Sequence, residues 1–251
     1  MSQSVLVTGA AGGIGSALVK LFASSGWEVL GSDHPDISPP PSIHRLCCGW
    51  IPANLENFVQ DEEQLNNFQS KVLLSTKDNP LTAIIHNAAL QQLGSFCDLT
   101  NDDWYKTYAV NVLAPVAISR SLMPELRKNR GSIVHIGSIH SSLTKSGFTA
   151  YASSKSALAG LVRAMSVELG GYVRVNGIEP AAISTPMLEA GFSENPQLKS
   201  QLESFHPTGA IGSPEDVARS VLFLVNSKNR FLNGCLLPLG GGIHNRLHDP
   251  V

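Results

Sequence analysis

The segment up to Asp33 constrains the fold most, because it combines a strand, a glycine-rich turn, a helix and a second strand. Ser4–Thr8 and Glu28–Asp33 are short apolar runs typical of buried strands. Between them, apolar residues recur at helical spacing over Ile14–Ser25, and Gly26 follows as a helix stop. This order predicts one half of a dinucleotide-binding fold.

The rest of the chain repeats the alternation of strands and helices. We predict further strands at Leu46–Cys48, Leu81–Asn87, Ser132–Gly137 and Val173–Ile178. We predict helices at Asp61–Leu74, Asp102–Ser121, Ala150–Leu169 and Pro214–Asn226, and a final apolar stretch at Gly234–Leu239. Four prolines make His34–Ser42 a loop where this kind of fold normally has a helix. The pattern predicts the α/β class, with a Rossmann-like doubly wound parallel sheet, helices on both faces and one domain over residues 1–251.

Composition excludes several classes of function. Of the 251 residues, 43% are hydrophobic and 15% are charged, so we expect a substantial core. The net charge of −2 argues against a nucleic-acid partner. Without a basic leader or a long apolar run, we expect no signal peptide, no membrane partner and a cytoplasmic location. The four cysteines form no C-x-x-C pair, so we expect reduced thiols and no metal site.

The first glycine-rich turn has the spacing G-x-x-x-G-x-G. Glycines allow a tight turn and a close approach of the backbone, and the next helix offers N–H groups to a pyrophosphate. The residues expected to lie against the cofactor are Gly9, Ala11, Gly13, Ile14 and Gly15. The alternative interpretation is a glycine-rich turn without a ligand.

Asp33 follows the second strand, 18 residues after Gly15. A carboxylate near this offset binds the adenosine ribose hydroxyls and repels a 2′-phosphate. The glycine turn contains no Lys or Arg, and none directly follows Asp33. We therefore favour NAD over NADP, and the alternative is that Asp33 only forms a turn before Pro35.

Tyr151 and Lys155 are four residues apart in a predicted helix, so they share one face. A free tyrosine has a pKa of about 10 and is a poor proton acceptor at neutral pH. We expect the Lys155 ammonium to lower the pKa of Tyr151. The pair is weak evidence alone, but with the glycine turn it predicts a nicotinamide-dependent oxidoreductase.

Together these motifs resemble the short-chain dehydrogenase/reductase family, of the compact type. The matching positions extend from the first strand to the last third of the chain: Thr8, Gly9, Gly13, Gly15, Asn87-Ala88-Ala89, Asn111, Ser138, Tyr151, Lys155, Arg174-Val175-Asn176, Pro180 and Thr185. The resemblance covers essentially the whole sequence.

The resemblance implies a catalytic group of four residues. Tyr151 would be the general acid/base, and Lys155 would bind the nicotinamide ribose. Ser138 would hydrogen-bond the substrate oxygen, and Asn111 would lie at a helix distortion that holds a water for proton relay. Alternatively, Asn111 is a surface residue and Ser138 caps a turn.

The resemblance also implies which residues contact the cofactor. Asn87, Ala88 and Ala89 would lie along the cofactor, and Pro180, Ile183 and Thr185 would lie at its nicotinamide end.

This chain departs from the family pattern at several positions. Ala89 and Ala181 replace glycines, His86 replaces an asparagine, and Gly240 stands where Asp-Gly-Gly usually begins. The family's aspartate beside adenine has no clear match between Gly49 and Asp61.

The predicted substrate is small and polar: a hydroxy acid, polyol or sugar. Gln91 and His140 fall where similar 3-hydroxybutyrate dehydrogenases bind the carboxylate, whereas some sugar dehydrogenases also have this histidine. Phe148 occupies the position at which the 3-hydroxybutyrate dehydrogenases have a lysine, and Lys145 comes three residues earlier. Residues 184–210 would form a lid. The other expected lining residues are Gln92, Met187, Leu188, Phe192 and His206.

Two other classes of protein are possible. One is a non-catalytic NAD(H)-binding sensor or scaffold, although such proteins usually lose the tyrosine or the lysine. The other is a nucleotide-sugar epimerase or dehydratase, whose chains are usually longer. The resemblance further implies a homotetramer or homodimer that packs through the helices at Trp104–Ser121 and Ala150–Leu169.

Overall fold

A computed structural model describes residues 2–190, 192, 196–226 and 228–247 of the chain. Its centre is a parallel sheet of seven strands in the order β3-β2-β1-β4-β5-β6-β7. The strands are β1 Ser4–Thr8, β2 Glu28–Ser32, β3 Cys47–Trp50, β4 Leu81–His86, β5 Ser132–Ile136, β6 Arg174–Pro180 and β7 Leu236–Leu239. The predicted doubly wound sheet is confirmed.

Helices cover both faces of the sheet. They are α1 Gly13–Ser24, α2 Pro41–His44, α3 Glu62–Ser75, α4 Asn101–Tyr108, α5 Ala114–Lys128, α6 Thr149–Leu169, α7 Pro186–Ala190, α8 Pro196–Phe205 and α9 Pro214–Asn226. One core lies between the sheet and α1 and α9, and the other lies between the sheet and α3, α5 and α6. Alternate residues of β1 point to opposite cores, as a strand buried on both faces requires.

The strand order reverses between β1 and β4. In open parallel sheets a crevice forms at the carboxyl ends of the strands beside such a reversal, and ligands bind there. The glycine turn leaves β1 at this edge, and Asn87 leaves β4 at the same edge. The fold therefore brings together motifs that are far apart in the sequence.

The structure refines several predicted boundaries. The predicted proline-rich loop ends in one helical turn, α2, since a proline is tolerated in the first turn of a helix. The helix predicted at Asp102–Ser121 runs from Asn101 to Lys128 and is interrupted by a π-turn at Ala109–Leu113. Across the described ranges, no helix is long and apolar enough to cross a membrane.

Candidate active site

The glycine turn packs too tightly for larger residues at three of its positions, Gly9, Gly13 and Gly15. A Cβ built on Gly15 would lie 2.0 Å from the carbonyl oxygen of Gly9, and Gly9 itself has a φ of +64°. A Cβ on Gly13 would lie 2.9 Å from Cγ2 of Thr185. Thr185, which was predicted to lie at the nicotinamide end, therefore lies directly against the start of α1.

Thr8 and Asn87 hold the glycine turn against β4. The Thr8 hydroxyl oxygen accepts the backbone N–H groups of Asn87 and Ala88, both at 3.1 Å. Asn87 Nδ2 donates to the carbonyl oxygens of Thr8 at 3.0 Å and Gly9 at 2.9 Å. Both amide protons of Asn87 are thus used to shape the turn, while Ala89 beyond it is exposed.

The first turn of α1 leaves its N–H groups without a side-chain cap. Gly12 is the N-cap residue and supplies no side-chain hydrogen bond. The orphan donors of Gly13, Ile14 and Gly15 therefore form the kind of site that binds a phosphate. The glycines add no side chain of their own at this position, so the backbone stays accessible to a ligand.

Asp33 contacts the same turn from the end of β2. Its Oδ2 accepts the N–H of Ala11 at 2.8 Å, and its Oδ1 accepts the N–H of His34 at 2.9 Å. Ala11 was predicted to contact the cofactor, but its N–H is already bound to Asp33. The half-buried carboxylate keeps lone pairs for further donors.

Lys155 is a buried residue in the first half of α6. It is 2% exposed, and Nζ donates to the carbonyl oxygen of Ile136 at 2.9 Å. Nζ also lies 5.5 Å from the centroid of the Tyr151 ring. Burial lowers the pKa of Lys155 to about 8, because the ammonium is separated from water.

The pKa of Tyr151 shifts in the opposite direction from our expectation. Burial raises it, and a hydrogen bond from Ser138 opposes the rise only in part. The Lys155 ammonium is bound to the Ile136 carbonyl and does not reverse the effect of desolvation. In this structure Tyr151 is therefore a phenol that keeps its proton at neutral pH.

Asn111 lies inside the π-turn and is 1% exposed. Its Oδ1 accepts the N–H of Leu90 at 2.8 Å, and its Nδ2 donates to the Leu90 carbonyl and to the Ser154 hydroxyl, both at 2.9 Å. The helix distortion expected here is present, and Asn111 is not a surface residue. The predicted water and proton relay remain predictions.

Ser138 begins a short turn, residues 138–142, that we call the serine turn. Its hydroxyl oxygen accepts the N–H of His140 at 3.2 Å. A one-turn 3₁₀-helix, Ile139–Ser141, follows it. Ser138 therefore caps this turn, as in the alternative interpretation, and its hydroxyl also approaches Tyr151.

His140, Phe148 and Lys145 form a stack beside Tyr151. The His140 and Phe148 rings are parallel within 4°, with centroids 4.4 Å apart, and Lys145 Nζ lies 4.8 Å from the Phe148 centroid. Tyr151 meets His140 edge-on at 5.6 Å. Burial, and then the Lys145 charge, lower the pKa of His140, so its imidazole is neutral at neutral pH.

The remaining predicted residues belong to the segment that follows β4, to the end of β6 or to the segment that follows β6. Pro180 ends β6, and Ile183 forms a bridge with Gly212. Gln91 is exposed, on a segment whose Gly94 N–H donates to the Gly147 carbonyl at 3.0 Å. His206 is buried, and its Nδ1 bonds the Leu202 carbonyl. Gln92, Leu188 and Phe192 are half-buried, while the Met187 side chain and residues 191 and 193–195 lie outside the described part of the chain.

Sequence reasoning assigned no contact to four residues that the structure joins to the turns and side chains of the site. They are Thr8 under the glycine turn, Lys145 on Phe148, Ser154 beside Asn111 and Glu179 under the serine turn. Thr8 had been named only as a matching motif position, and Lys145 only as a residue shortly before Tyr151. Each of the others depends on a partner far away in the sequence.

These residues fit a nicotinamide dinucleotide. The uncapped start of α1 suits the pyrophosphate, the Asp33 carboxylate suits ribose hydroxyls, and the Tyr151 phenol suits a reacting oxygen. The glycine turn, Asp33 and Ser138 follow the carboxyl ends of β1, β2 and β5, which lie at one edge of the sheet.

Comparison with known proteins gives a consistent result. Residues 9–244 match the profile of the family described as enoyl-(acyl carrier protein) reductase. An uncharacterized oxidoreductase of Schizosaccharomyces pombe is 33% identical over 242 residues, which is 95% of this chain and 90% of that protein. L-xylulose reductase of Bos taurus is 29% identical, with 96% of each chain covered.

The solved structures show the same fold. Aldohexose dehydrogenase of Thermoplasma acidophilum superposes with a TM-score of 0.88 over 100% of this chain and 97% of that one. At 24% identity this likeness concerns the fold alone.

Proposed function

Because the chain belongs to the short-chain dehydrogenase/reductase family, we propose that it is an NAD-dependent oxidoreductase that interconverts a secondary alcohol and a ketone. The observation that carries the proposal is the meeting of Ser138, Tyr151 and Lys155 at the sheet edge that also holds the glycine turn. A proton donor and a turn suited to phosphate at one sheet edge support this reaction class.

The chain's own residues account for the proton chemistry. A bound nicotinamide supplies or accepts the hydride. Tyr151 gives its proton to the ketone oxygen in reduction and takes one from the alcohol in oxidation. Ser138 donates to the same oxygen and stabilises the charge that develops there. Lys155 presents a buried cation beside the phenol, which favours the phenolate when the proton has left.

The preference for NAD follows from charge. The Asp33 carboxylate lies where the adenosine ribose is expected, and it repels a 2′-phosphate. Residues 9–19 and 34–44 contain no Lys or Arg to neutralise such a phosphate. A ribose with free hydroxyls would donate to the carboxylate.

The substrate we propose is a small polar molecule: a hydroxy acid, polyol or sugar. His140 presents a neutral imidazole next to Tyr151, and the Lys145 cation lies 4.8 Å from the centroid of the Phe148 ring on which that imidazole stacks. A carboxylate would benefit from both groups, so the stack favours the hydroxy acid. The bovine relative is named L-xylulose reductase, so we also include sugars and polyols among the proposed substrates.

The test is a fluorescence titration with NADH and with NADPH, followed by a turnover screen over hydroxy acids, polyols and sugars that measures reduced nicotinamide by absorbance. We expect tighter binding of NADH and turnover of at least one hydroxy acid. Binding without turnover across the panel would favour the sensor interpretation. Binding of neither cofactor would contradict the proposal.

We also propose that the chain forms a homodimer or homotetramer through α5 and α6. A groove of about 640 Å³ runs between these helices and includes Val116, Met123, Leu161 and Met165. Apolar residues at a helix–helix groove are typical of a symmetric interface. Light scattering should show an oligomer that Met165→Glu dissociates, and a wild-type monomer would contradict this assembly.

A further inference from the structure

Glu179 lies under the serine turn, although no motif identifies it. It is the penultimate residue of β6 and is 9% exposed. A Cβ built on Gly137 would lie 3.3 Å from the Glu179 Cγ, so the side chain runs beneath the residue that precedes Ser138. The Ser141 hydroxyl donates to Glu179 Oε1. A buried carboxylate needs such a partner, because burying an unpartnered charge is costly.

Ser141 is the central contact of the serine turn. Its N–H donates to the Ser138 carbonyl at 2.9 Å, and its own carbonyl accepts the Ser156 hydroxyl of α6 at 2.8 Å. Its hydroxyl is the group that binds Glu179. One residue therefore connects the backbone of Ser138, the helix of Tyr151 and the end of β6.

The C-terminal turn, Ile243–Asn245, carries His244. The His244 ring packs against Gly240, where a Cβ would lie 2.6 Å from the ring Cε1. Its Nε2 is buried and has no partner among the described residues. Burial lowers the pKa of His244, and the negative charge of Glu179 opposes that shift.

The C-terminal turn is in turn tied to α8. Arg246 donates to the carbonyl oxygens of Ser204 at 2.8 Å and Phe205 at 2.9 Å. The N–H of Thr208 donates to the Gly241 carbonyl at 3.2 Å. These contacts hold the C-terminal turn against the end of α8.

We propose that Glu179 is a positioning residue of this site: by binding Ser141 it holds the serine turn, and with it Ser138, in place. The proposal rests on the function proposed above for Ser138. It assigns Glu179 no contact with substrate or cofactor. Its effect passes through Ser141, so the two residues should act as one unit.

The first test measures amide hydrogen exchange of His140 and Leu143 by NMR in the cofactor-free protein. These amides donate within the serine turn, to Ser138 Oγ and to the Ile139 carbonyl. We expect Glu179→Ala and Ser141→Ala each to speed their exchange by about 10-fold or more, as for a lost hydrogen bond to a charged group. Ser142→Ala is the matched control, because that exposed hydroxyl bonds only the Ile139 carbonyl, at 3.5 Å.

The second test is a double-mutant cycle in kcat. Glu179→Ala and Ser141→Ala should each lower kcat by about 10-fold with an unchanged Kd for NADH, and the double variant should be no worse than either. Glu179→Gln keeps an acceptor oxygen for Ser141 and should retain most of the activity. The proposal would be overturned if the two fold-losses in kcat multiplied in the double variant, or if Glu179→Ala and Ser141→Ala left the amide exchange rates unchanged.

The two tests separate this proposal from the function it rests on. If the wild-type protein turns over no substrate, the proposed function fails, and the exchange experiment still decides whether Glu179 holds the serine turn. If Glu179→Ala does not fold, Ser141→Ala with Glu179→Gln supplies the same comparison. Exchange that is equally fast in Ser142→Ala would contradict the proposal.

Discussion

The backbone N–H of Ala11 donates to the Asp33 carboxylate, with 2.8 Å between the nitrogen and Oδ2. The residue expected to select the cofactor thus also supports the turn expected to bind its phosphates. A substitution at Asp33 changes both properties unless the new side chain keeps an acceptor oxygen.

Asp33→Asn separates these two roles. The amide oxygen can still accept the Ala11 N–H, but the negative charge is lost, so we expect NADPH binding to improve and NADH binding to weaken by about 10-fold. Asp33→Ala should also loosen the glycine turn. Fluorescence titration measures both affinities, with Asp36→Asn as an exposed control. An unchanged preference would mean that another residue distinguishes the cofactors.

The glycine turn offers a matched pair of substitutions. A Cβ at Gly15 would lie 2.0 Å from the Gly9 oxygen, whereas a Cβ at Gly12 meets its nearest atom at 3.4 Å. We expect Gly15→Ala to lose cofactor binding and several degrees of Tm, and Gly12→Ala to stay close to the wild type in Tm. Equal melting temperatures for the two variants would show that the turn relaxes freely.

Tyr151→Phe removes only the phenol oxygen. We expect kcat to fall by about 10²–10⁴-fold while NADH still binds, because the lost group transfers a proton and is not required for affinity. Tyr105→Phe, at an exposed position on α4, is the control. Retained turnover would exclude Tyr151 as the acid/base.

The His140–Phe148 stack predicts an effect on substrate affinity. We expect His140→Ala to raise KM for a hydroxy acid or polyol by about 10-fold or more, since it loses a hydrogen bond of about 1.5–3 kcal/mol to a charged group. Thr144→Val removes the group that bonds His140 Nδ1 at 2.9 Å and should give a smaller effect. If KM does not move in His140→Ala, the imidazole is only structural.

His135 predicts sensitivity to acid. Its ring is fully buried, stacks on His86 at 4.8 Å, and neither nitrogen has a partner among the described residues. Burial, and then the Lys155 charge, lower the pKa of His135 from 6.5 to about 3. As the pH falls, His135 is therefore protonated in the unfolded chain before it is protonated in the folded protein. The contribution of the neutral His135 to the free energy of unfolding is lost as the pH falls from 6.5 towards 3.

Denaturant unfolding at pH 8 and pH 5 measures this loss. Between pH 6.5 and 5 the free energy of unfolding should fall by about 2 kcal/mol because of one such histidine. The free energy of unfolding of His135→Gln should fall by less than that of the wild type over that interval. His44→Gln, at an exposed site, should leave the pH dependence unchanged. An equal loss in His135→Gln and the wild type would contradict the prediction.

The sequence predicted most of the fold, because strands and helices of this type leave strong local signals. Predicted strands such as Ser132–Gly137 lie within a residue or two of the observed ones. The π-turn around Asn111 had no local signal of its own, and only the resemblance to the family located it. The single turn Pro41–His44 appeared where the prolines predicted a loop.

The direction of the pKa shift of Tyr151 shows what local reasoning leaves out. The four-residue spacing correctly placed Lys155 beside the ring, at 5.5 Å from its centroid. It could not show that the ammonium binds the Ile136 carbonyl, or that desolvation of the phenol outweighs the charge. Burial depends on everything packed around a group, and no sequence window contains that information.

The sequence by itself determined the order of elements, the glycine turn, the Tyr151–Lys155 face and the negative charge at Asp33, because each depends on residues close together in the chain. The tertiary structure decided which distant groups complete the site. Ala11 binds Asp33, Asn87 holds Gly9, and Glu179 reaches Ser141. Such contacts form only when parallel strands bring their carboxyl ends to one edge, so the sheet order determines them.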